Sequence, residues 1–364
     1  MIHPKYGHYI RQIIVFAIIW LIFGTLYALL EVGLLGSTTI AYPTTGIDYY
    51  FGNNILYFSL GSLLMGAVQG SIEVLWLHKQ FSDKPLWVKI LWKSLIYLFL
   101  ILLFLLVLTV VTSWVNAPSG SLDASATDRI QGFMGQFSFW SIVIYAGVTL
   151  NIALIFSDIQ EYIGRRLLYN FLLGRYHHPN QECRIFMFLD MKSSTTIAEN
   201  MGHAQYFQLI KTYYANMTDA ILETAGEIYQ YVGDEIVISW PEKKGLYKSN
   251  CIQCFYKIEK DLYRNRQKYM EEFGIVPSFK AGFHIGEVTT GEIGIIKKDI
   301  IYTGDVLNTT ARIQAQCNTY DAKALISEAL MNKLPASSSF TFTKLGKLKL
   351  RGKKDDILLY RIEL

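Results

Sequence analysis

The feature that most constrains this 364-residue chain is the uneven spread of its charge. Residues 1–156 carry 13 charged side chains, seven Lys or Arg and six Asp or Glu, whereas residues 157–364 carry 51. Within the poorly charged part, four runs reach the roughly 20 residues that a hydrocarbon core demands. They are 13–35, broken only by Glu31; 55–77, broken only by Glu73; 94–115; and 133–156. With 51% hydrophobic and 18% charged residues, the chain is neither disordered nor one soluble globule. The first run is too long for the apolar core of a signal peptide, and no small-residue cleavage site follows it, so it counts as a span.

Lys and Arg placement gives a topology. Lys5 and Arg11 precede the first span, Lys79, Lys84 and Lys89 follow the second, and Arg165, Arg166 and Arg175 follow the fourth. The two remaining loops, 36–54 and 116–132, hold only Arg129. Basic loops stay cytoplasmic, so both termini are expected inside a multi-pass protein of the cell (inner or plasma) membrane. Ser62, Gly66 and Gly70 repeat every four residues, a face that allows close helix packing. Glu31 and Glu73 sit near opposite span ends and are expected to snorkel to the interfaces without pairing. No span carries the mid-depth polar groups of a transport path.

Residues 157–174 continue the last span. Ile159, Ile163, Leu167 and Phe171 recur every four residues, with Asp158, Glu161, Arg165 and Arg166 on other faces and Gly174 as a C-cap. This amphipathic helix is suited to pair in a dimer or to lie on a surface. The expected domains are therefore 1–156 in the membrane, 157–182 as a transducer helix and linker, and 183–364 in the cytosol.

From Cys183 onward strands and helices alternate. The pattern predicts strands over 184–189, 279–285, 300–302, 324–326, 340–345 and 357–362, a hairpin over 227–240 turning at 232–235, and helices over 196–224, 250–273 and 306–317. That is an α+β sandwich with helices covering a mostly antiparallel sheet. All four cysteines lie here, where disulfides are not expected. Cys251 and Cys254 read as two core residues one helical turn apart. The net charge of +4 comes without a basic block, so nucleic acid is not an expected partner.

Two carboxylates stand out. Asp190 ends the first strand, and Asp234 sits at the tip of the hairpin. If those strands are neighbours, both converge at one sheet end, as a hard divalent cation gripping a polyphosphate requires. Ser193, Ser194 and Thr195 open the next helix, where N–H groups and hydroxyls receive phosphate oxygens. Ordinary turn and cap chemistry explains the same residues equally well.

The run resembles the catalytic domain of the class III nucleotidyl cyclases, the adenylate and guanylate cyclase family. The resemblance covers 183–364. It rests on 188–195, the Gly233-Asp234 hairpin, a strand-turn-strand over 284–294, the segment 304–312 with Asn308 and Arg312, and Arg351-Gly-Lys353. It implies a ferredoxin-like α+β catalytic domain behind a four-helix membrane anchor. It also implies a homodimer that converts ATP to 3′,5′-cyclic AMP and pyrophosphate with two Mg²⁺ or Mn²⁺ ions per site. By the same resemblance Asp190, Asp234 and the Met191 carbonyl hold metal, and the partner copy's Asn308 and Arg312 orient the ribose and stabilise charge on the α-phosphate. Ser193, Ser194, Thr195 and Arg351 fall to the phosphates.

The chain departs from the family where the base is read. Gln230 stands where adenylate-forming relatives have Lys, and Ile301 where they have Asp or Thr. Gln230 both donates and accepts, so it fits adenine, guanine or a pyrimidine edge. Asp299 shares a strand face with Ile301 and is placed to substitute for it. Besides an ATP cyclase, the sequence leaves room for a GTP or pyrimidine cyclase and for a catalytically silent receptor. A diguanylate cyclase is disfavoured, since Val232-Gly233-Asp234-Glu235-Ile236 lacks the first Gly and the Phe of that signature.

Overall fold

The computed structural model describes residues 4–35, 51–77, 80–81, 84–115, 132, 135, 137–163, 178–296, 299–335, 340–348 and 356–363. Contacts divide the chain into two compact units, one of His8–Leu168 and one of Tyr169–Leu364, to which Met1–Gly7 are assigned. The division falls inside 157–182. Arg165, Arg166, Gly174, Arg175 and Arg351 lie outside the described residues.

The first unit holds four long helices: α1 (Pro4–Leu35), α2 (Phe51–Ile72), α3 (Leu86–Val115) and α4 (Phe137–Ile163). Each contains a stretch long and apolar enough to cross a membrane. The Ser62/Gly66/Gly70 face of α2 packs on α1. A Cβ on Gly66 would come within 2.7 Å of the Phe16 carbonyl oxygen, so only glycine permits this approach. Helix α4 continues without a break past residue 156, as the connector pattern implies.

Glu73 corrects the sequence reading. It opens a π-helical turn, Glu73–Leu77, and is 3% exposed rather than snorkelling. Its carboxylate pairs with Lys93 and accepts a hydrogen bond from the Tyr97 hydroxyl at 3.0 Å. The physical reason lies in α3, which begins at Leu86 rather than at residue 94, so Lys89 and Lys93 are helical and buried instead of lying in a loop. An interior charge is tolerable when an opposite charge neutralises it.

The second unit begins with β1 (Asn180–Met191), α5 (Ser194–Met201), α6 (His203–Glu223), β2 (Glu227–Val232) and β3 (Glu235–Pro241). It continues through α7 (Glu242–Leu246), α8 (Asn250–Arg264), α9 (Arg266–Phe273), β4 (Phe279–Ile293), β5 (Asp299–Thr303) and α10 (Asp305–Thr319). It closes with β6 (Ala324–Ser327), α11 (Glu328–Met331), β7 (Thr341–Leu348) and β8 (Ile357–Glu363). The eight strands form one sheet in the order β2-β3-β1-β4-β6-β8-β7, with β5 paired to β4. Among the described residues only β4 and β6 run parallel.

Strand β1 is buried on both faces because the sheet is covered on both sides. Ile185, Met187 and Leu189 pack with Tyr213 and Met217 of α6 and Phe255 of α8. Phe186 and Phe188 pack on the other side with Val306 of α10. Cys251 and Cys254 are free, fully buried core residues, and burial pushes both thiols up to about 12.

Two expected helices and one expected strand-turn-strand differ from the sequence reading. The expected 196–224 helix breaks at Gly202, whose φ of 80° no helix accepts. The 250–273 helix divides at Asn265. The expected strand-turn-strand over 284–294 is instead part of one 15-residue strand, β4. Its later half pairs with β1 on one side and β5 on the other, and Gly294, with φ 93°, follows its end.

Candidate active site

Strands β1 and β3 pair antiparallel with Asp190 opposite Glu235, so the hairpin tip lies beside the end of β1. Gly233 takes φ 63°, the left-handed conformation that the tight turn needs. Tyr214 of α6 pins the turn by donating its hydroxyl to the Gly233 carbonyl at 2.8 Å and the Glu235 carbonyl at 3.2 Å. Asp190 and Asp234 therefore meet, as the sequence reading requires if the strands are neighbours. Burial first, then a hydrogen bond with Asp234 and that residue's charge, raise the Asp190 carboxyl above its ordinary range; Lys280 opposes them.

The Asp190 carboxylate is held through Oδ2, which accepts from Gln314 Nε2 at 3.1 Å and lies 3.3 Å from Lys280 Nζ. Asp234 Oδ2 is buried and has no hydrogen-bond partner in the structure. A buried carboxylate oxygen without a donor, beside a second carboxylate, is the kind of oxygen that a hard cation satisfies. Glu235 adds a third acidic group, pushed up to about 7 by burial and by Asp190 and Asp234. Among the described residues no set of three or more His, Cys, Asp or Glu is arranged to hold a metal by side chains alone. The donor set fits Mg²⁺ or Mn²⁺, which take one or two carboxylates and complete their shells with other oxygens.

Met191, the last residue of β1, is buried beside Asp190. Ser193 adopts φ 56° at the start of α5, a strained position for a non-glycine residue, and its side chain makes no capping bond. Ser193 and Thr195 are exposed, and Ser194 is half-buried with a hydrogen bond to Tyr206.

Gln230 and Asn308 come together elsewhere. They line a groove of about 430 Å³ with Phe188, Tyr229, Tyr302, Thr303, Gly304, Leu307 and Ala311. Neither Asp190 nor Asp234 lines it. Arg312 is half-buried one turn beyond Asn308 on α10. Ile301 and Asp299 pair with Gly291 and Ile293 of β4 and do not line the groove; β5 contributes Tyr302 and Thr303 instead. Beneath these aromatics lies the fully buried Arg184. Its guanidinium carbon is 4.8 Å from the Tyr302 ring centroid, and its NH2 group bonds Glu227 at 2.5 Å and Ser239 at 2.9 Å. A larger depression of about 570 Å³ over Tyr256, Tyr263 and Phe340 includes none of the candidate residues.

Lys280 and Gln314 escaped sequence reasoning because they reach Asp190 from a strand and a helix distant in the chain, whereas Tyr229, Tyr302 and Thr303 are immediate neighbours of Gln230 and Ile301 that the fold turns into the groove. Glu235 was visible as the neighbour of Asp234.

Paired carboxylates at one strand end, with an Asn and an Arg one turn apart on a helix of a covered α+β sheet, are the donor types that a divalent cation and a charged ligand take. Residues 176–363 match the adenylate and guanylate cyclase catalytic domain, and the chain belongs to that family. It is 32% identical over 213 residues to "Adenylate cyclase 2" of Rhizobium meliloti, covering 58% of this chain and 59% of that one. It is 26% identical over 187 residues to an adenylate cyclase of Anabaena cylindrica, covering 49% of this chain and 36% of the relative. The match therefore spans less than two thirds of either curated relative. A bacterial light-regulated adenylyl cyclase structure superimposes with a TM-score of 0.52 at 19% identity, over 63% of this chain and 65% of that one, and so shares the fold.

Proposed function

We propose that the protein is a membrane-bound adenylate cyclase, active as a homodimer, that converts ATP to 3′,5′-cyclic AMP and pyrophosphate for intracellular signalling. The observation that carries this reading is the Asp190–Asp234 pair with a buried, unpartnered Asp234 Oδ2, on a chain of the cyclase family. The similarity to two proteins named adenylate cyclase supports ATP as the nucleotide.

In this reading Asp190, Asp234 and the Met191 carbonyl would hold two Mg²⁺ or Mn²⁺ ions, which would supply acidification of the ribose 3′-hydroxyl and neutralisation of phosphate charge. The 3′-oxygen attacks the α-phosphorus while its proton passes to solvent water, and the bond to the pyrophosphate oxygen breaks, releasing pyrophosphate. Asn308 orients the ribose and Arg312 takes up charge developing on the α-phosphoryl oxygens, both lent to the partner's Asp190 and Asp234. In support, the groove that holds Asn308 and Gln230 within one chain excludes both aspartates. Ser193, Ser194 and Thr195 meet the phosphates at the start of α5, and Arg351 the terminal phosphates. Gln230 of β2 reads the base, and Ile301 and Asp299 of β5 stay outside the groove that Gln230 lines. The four helices anchor the protein in the cell membrane with both termini cytoplasmic, and residues 157–174 pair across the dimer.

The test is product analysis of the purified full chain with Mn²⁺ and, separately, ATP, GTP, CTP and UTP. Cyclic AMP from ATP in clear excess over the other cyclic products supports the reading. Preferential cyclic GMP or a cyclic pyrimidine nucleotide replaces the substrate, and no cyclic product contradicts the enzyme.

A further inference from the structure

The helix that carries Asn308 and Arg312 also holds Asp190. Gln314 of α10, 7% exposed, donates Nε2 to Asp190 Oδ2 at 3.1 Å. Asn318, one turn further along, accepts from Lys280 Nζ at 3.3 Å, and the same ammonium lies 3.3 Å from Asp190 Oδ2. Both arms end on Oδ2, and neither uses Oδ1. At about 100° per residue, Asn308 and Arg312 share a side of α10, while Gln314 projects about 200° from Arg312, toward the sheet.

The helix is seated tightly enough for such contacts to be informative. A Cβ on Gly282 would come within 2.4 Å of the Gln314 main-chain nitrogen, so α10 lies directly on the β4 backbone. Cys317 Sγ reaches the Ala281 carbonyl at 3.4 Å, and Thr309 and Thr310 are fully buried. A rigid element held at both ends transmits displacement rather than absorbing it.

We propose that Gln314 is a positioning residue for Asp190, and that through it α10 couples the two active sites of the dimer. The deduction rests on the shared-site reading above. One side of the helix fixes the metal carboxylate of its own chain, and the opposite side presents Asn308 and Arg312 to the partner. Seating a cation at Asp190 holds α10 in place, which lowers the cost of ordering Asn308 and Arg312 at the other site. Binding at the two sites is then positively cooperative.

Two readouts independent of turnover test this on the full-length dimer. Mn²⁺ binding without nucleotide is followed by electron paramagnetic resonance, and binding of 3′-deoxy-ATP, which lacks the attacking hydroxyl, by calorimetry with Mn²⁺ present. Gln314→Leu is expected to weaken Mn²⁺ on the order of tenfold. The wild type is expected to bind 3′-deoxy-ATP with a Hill coefficient above one, and Gln314→Leu to remove that cooperativity. Unchanged Mn²⁺ affinity in a folded Gln314→Leu protein overturns the positioning role, and independent wild-type sites overturn the coupling. If Gln314→Leu does not fold, the exposed Asn318→Ala decides, with Mn²⁺ weakened about threefold or, against the proposal, unchanged. The shared site is tested separately by mixing Asp190→Ala and Arg312→Ala chains. Its failure there leaves the Mn²⁺ result at Gln314 readable.

Discussion

Gly282 and Gln314 touch backbone to backbone: any side chain at residue 282 would collide with the main chain of α10, 2.4 Å from the Gln314 nitrogen. That contact sets how close α10 comes to β4, and hence whether Gln314 reaches Asp190. Gly282→Ala forces the helix outward and is expected to cost about 1–3 kcal/mol of stability. It should also weaken Mn²⁺ binding, since the Gln314–Asp190 bond lengthens. Thermal unfolding and Mn²⁺ titration of the same preparation check both effects; an unshifted melting temperature contradicts the contact.

Glu73, in the π-helical turn after α2, and Lys93 of α3 form a buried pair, with the Tyr97 hydroxyl also donating to the carboxylate. Removing either charge alone leaves the other buried and uncompensated. Lys93→Met and Glu73→Met are each expected to destabilise the full chain by about 3–5 kcal/mol, while the double variant recovers most of the loss. Unfolding in detergent measures this, and additive single effects would show that the two side chains do not interact.

The buried thiols give a pH dependence. Cys251, Cys254 and Cys317 are each pushed up to about 12, chiefly by burial, from about 8.5 in an unfolded chain. Their folded value is raised, so their contribution to stability is complete below pH of about 8.5 and is lost as pH climbs toward 12. At pH 8 an alkylating reagent is expected to modify the half-buried Cys183 first and the other three only after denaturation. Mass spectrometry of the native, alkylated protein decides, and rapid labelling of Cys251 contradicts this core.

Much of this was legible in the sequence for a physical reason. Hydropathy and alternation report what each residue does for its own element, so the four apolar helices, the hairpin that aims Asp234 and the strand that ends at Asp190 could be read locally. Partners across elements could not. The Glu73–Lys93 pair was hidden because two lysines cut short the apolar run of α3, moving its apparent start to residue 94. Gln314 was hidden because only the absence of a side chain at Gly282, 32 positions earlier, brings it to Asp190. The groove takes Tyr302 and Thr303 from the end of β5 that leads into α10 and leaves out Ile301, because the sequence does not say which part of that short strand meets α10.

Gln230 is exposed on the groove and able to donate or accept. Gln230→Glu supplies an acceptor only, suited to the adjacent N–H groups of guanine's Watson–Crick edge. The kcat/KM ratio for GTP over ATP is expected to rise on the order of tenfold, as one gained hydrogen bond to a charged group allows. Competition assays with both nucleotides read this ratio, and an unchanged ratio removes Gln230 from base selection.

The central claim is that cyclisation occurs at a site assembled from Asp190 and Asp234 of one chain and Asn308 and Arg312 of another. Asp190→Ala and Arg312→Ala proteins are each expected to be inactive. When their subunits are mixed and allowed to exchange, half of the dimers carry one intact site, so cyclic AMP formation should return to about a quarter of the wild-type rate. No recovery, with heterodimers confirmed by differently tagged chains, would contradict a shared active site.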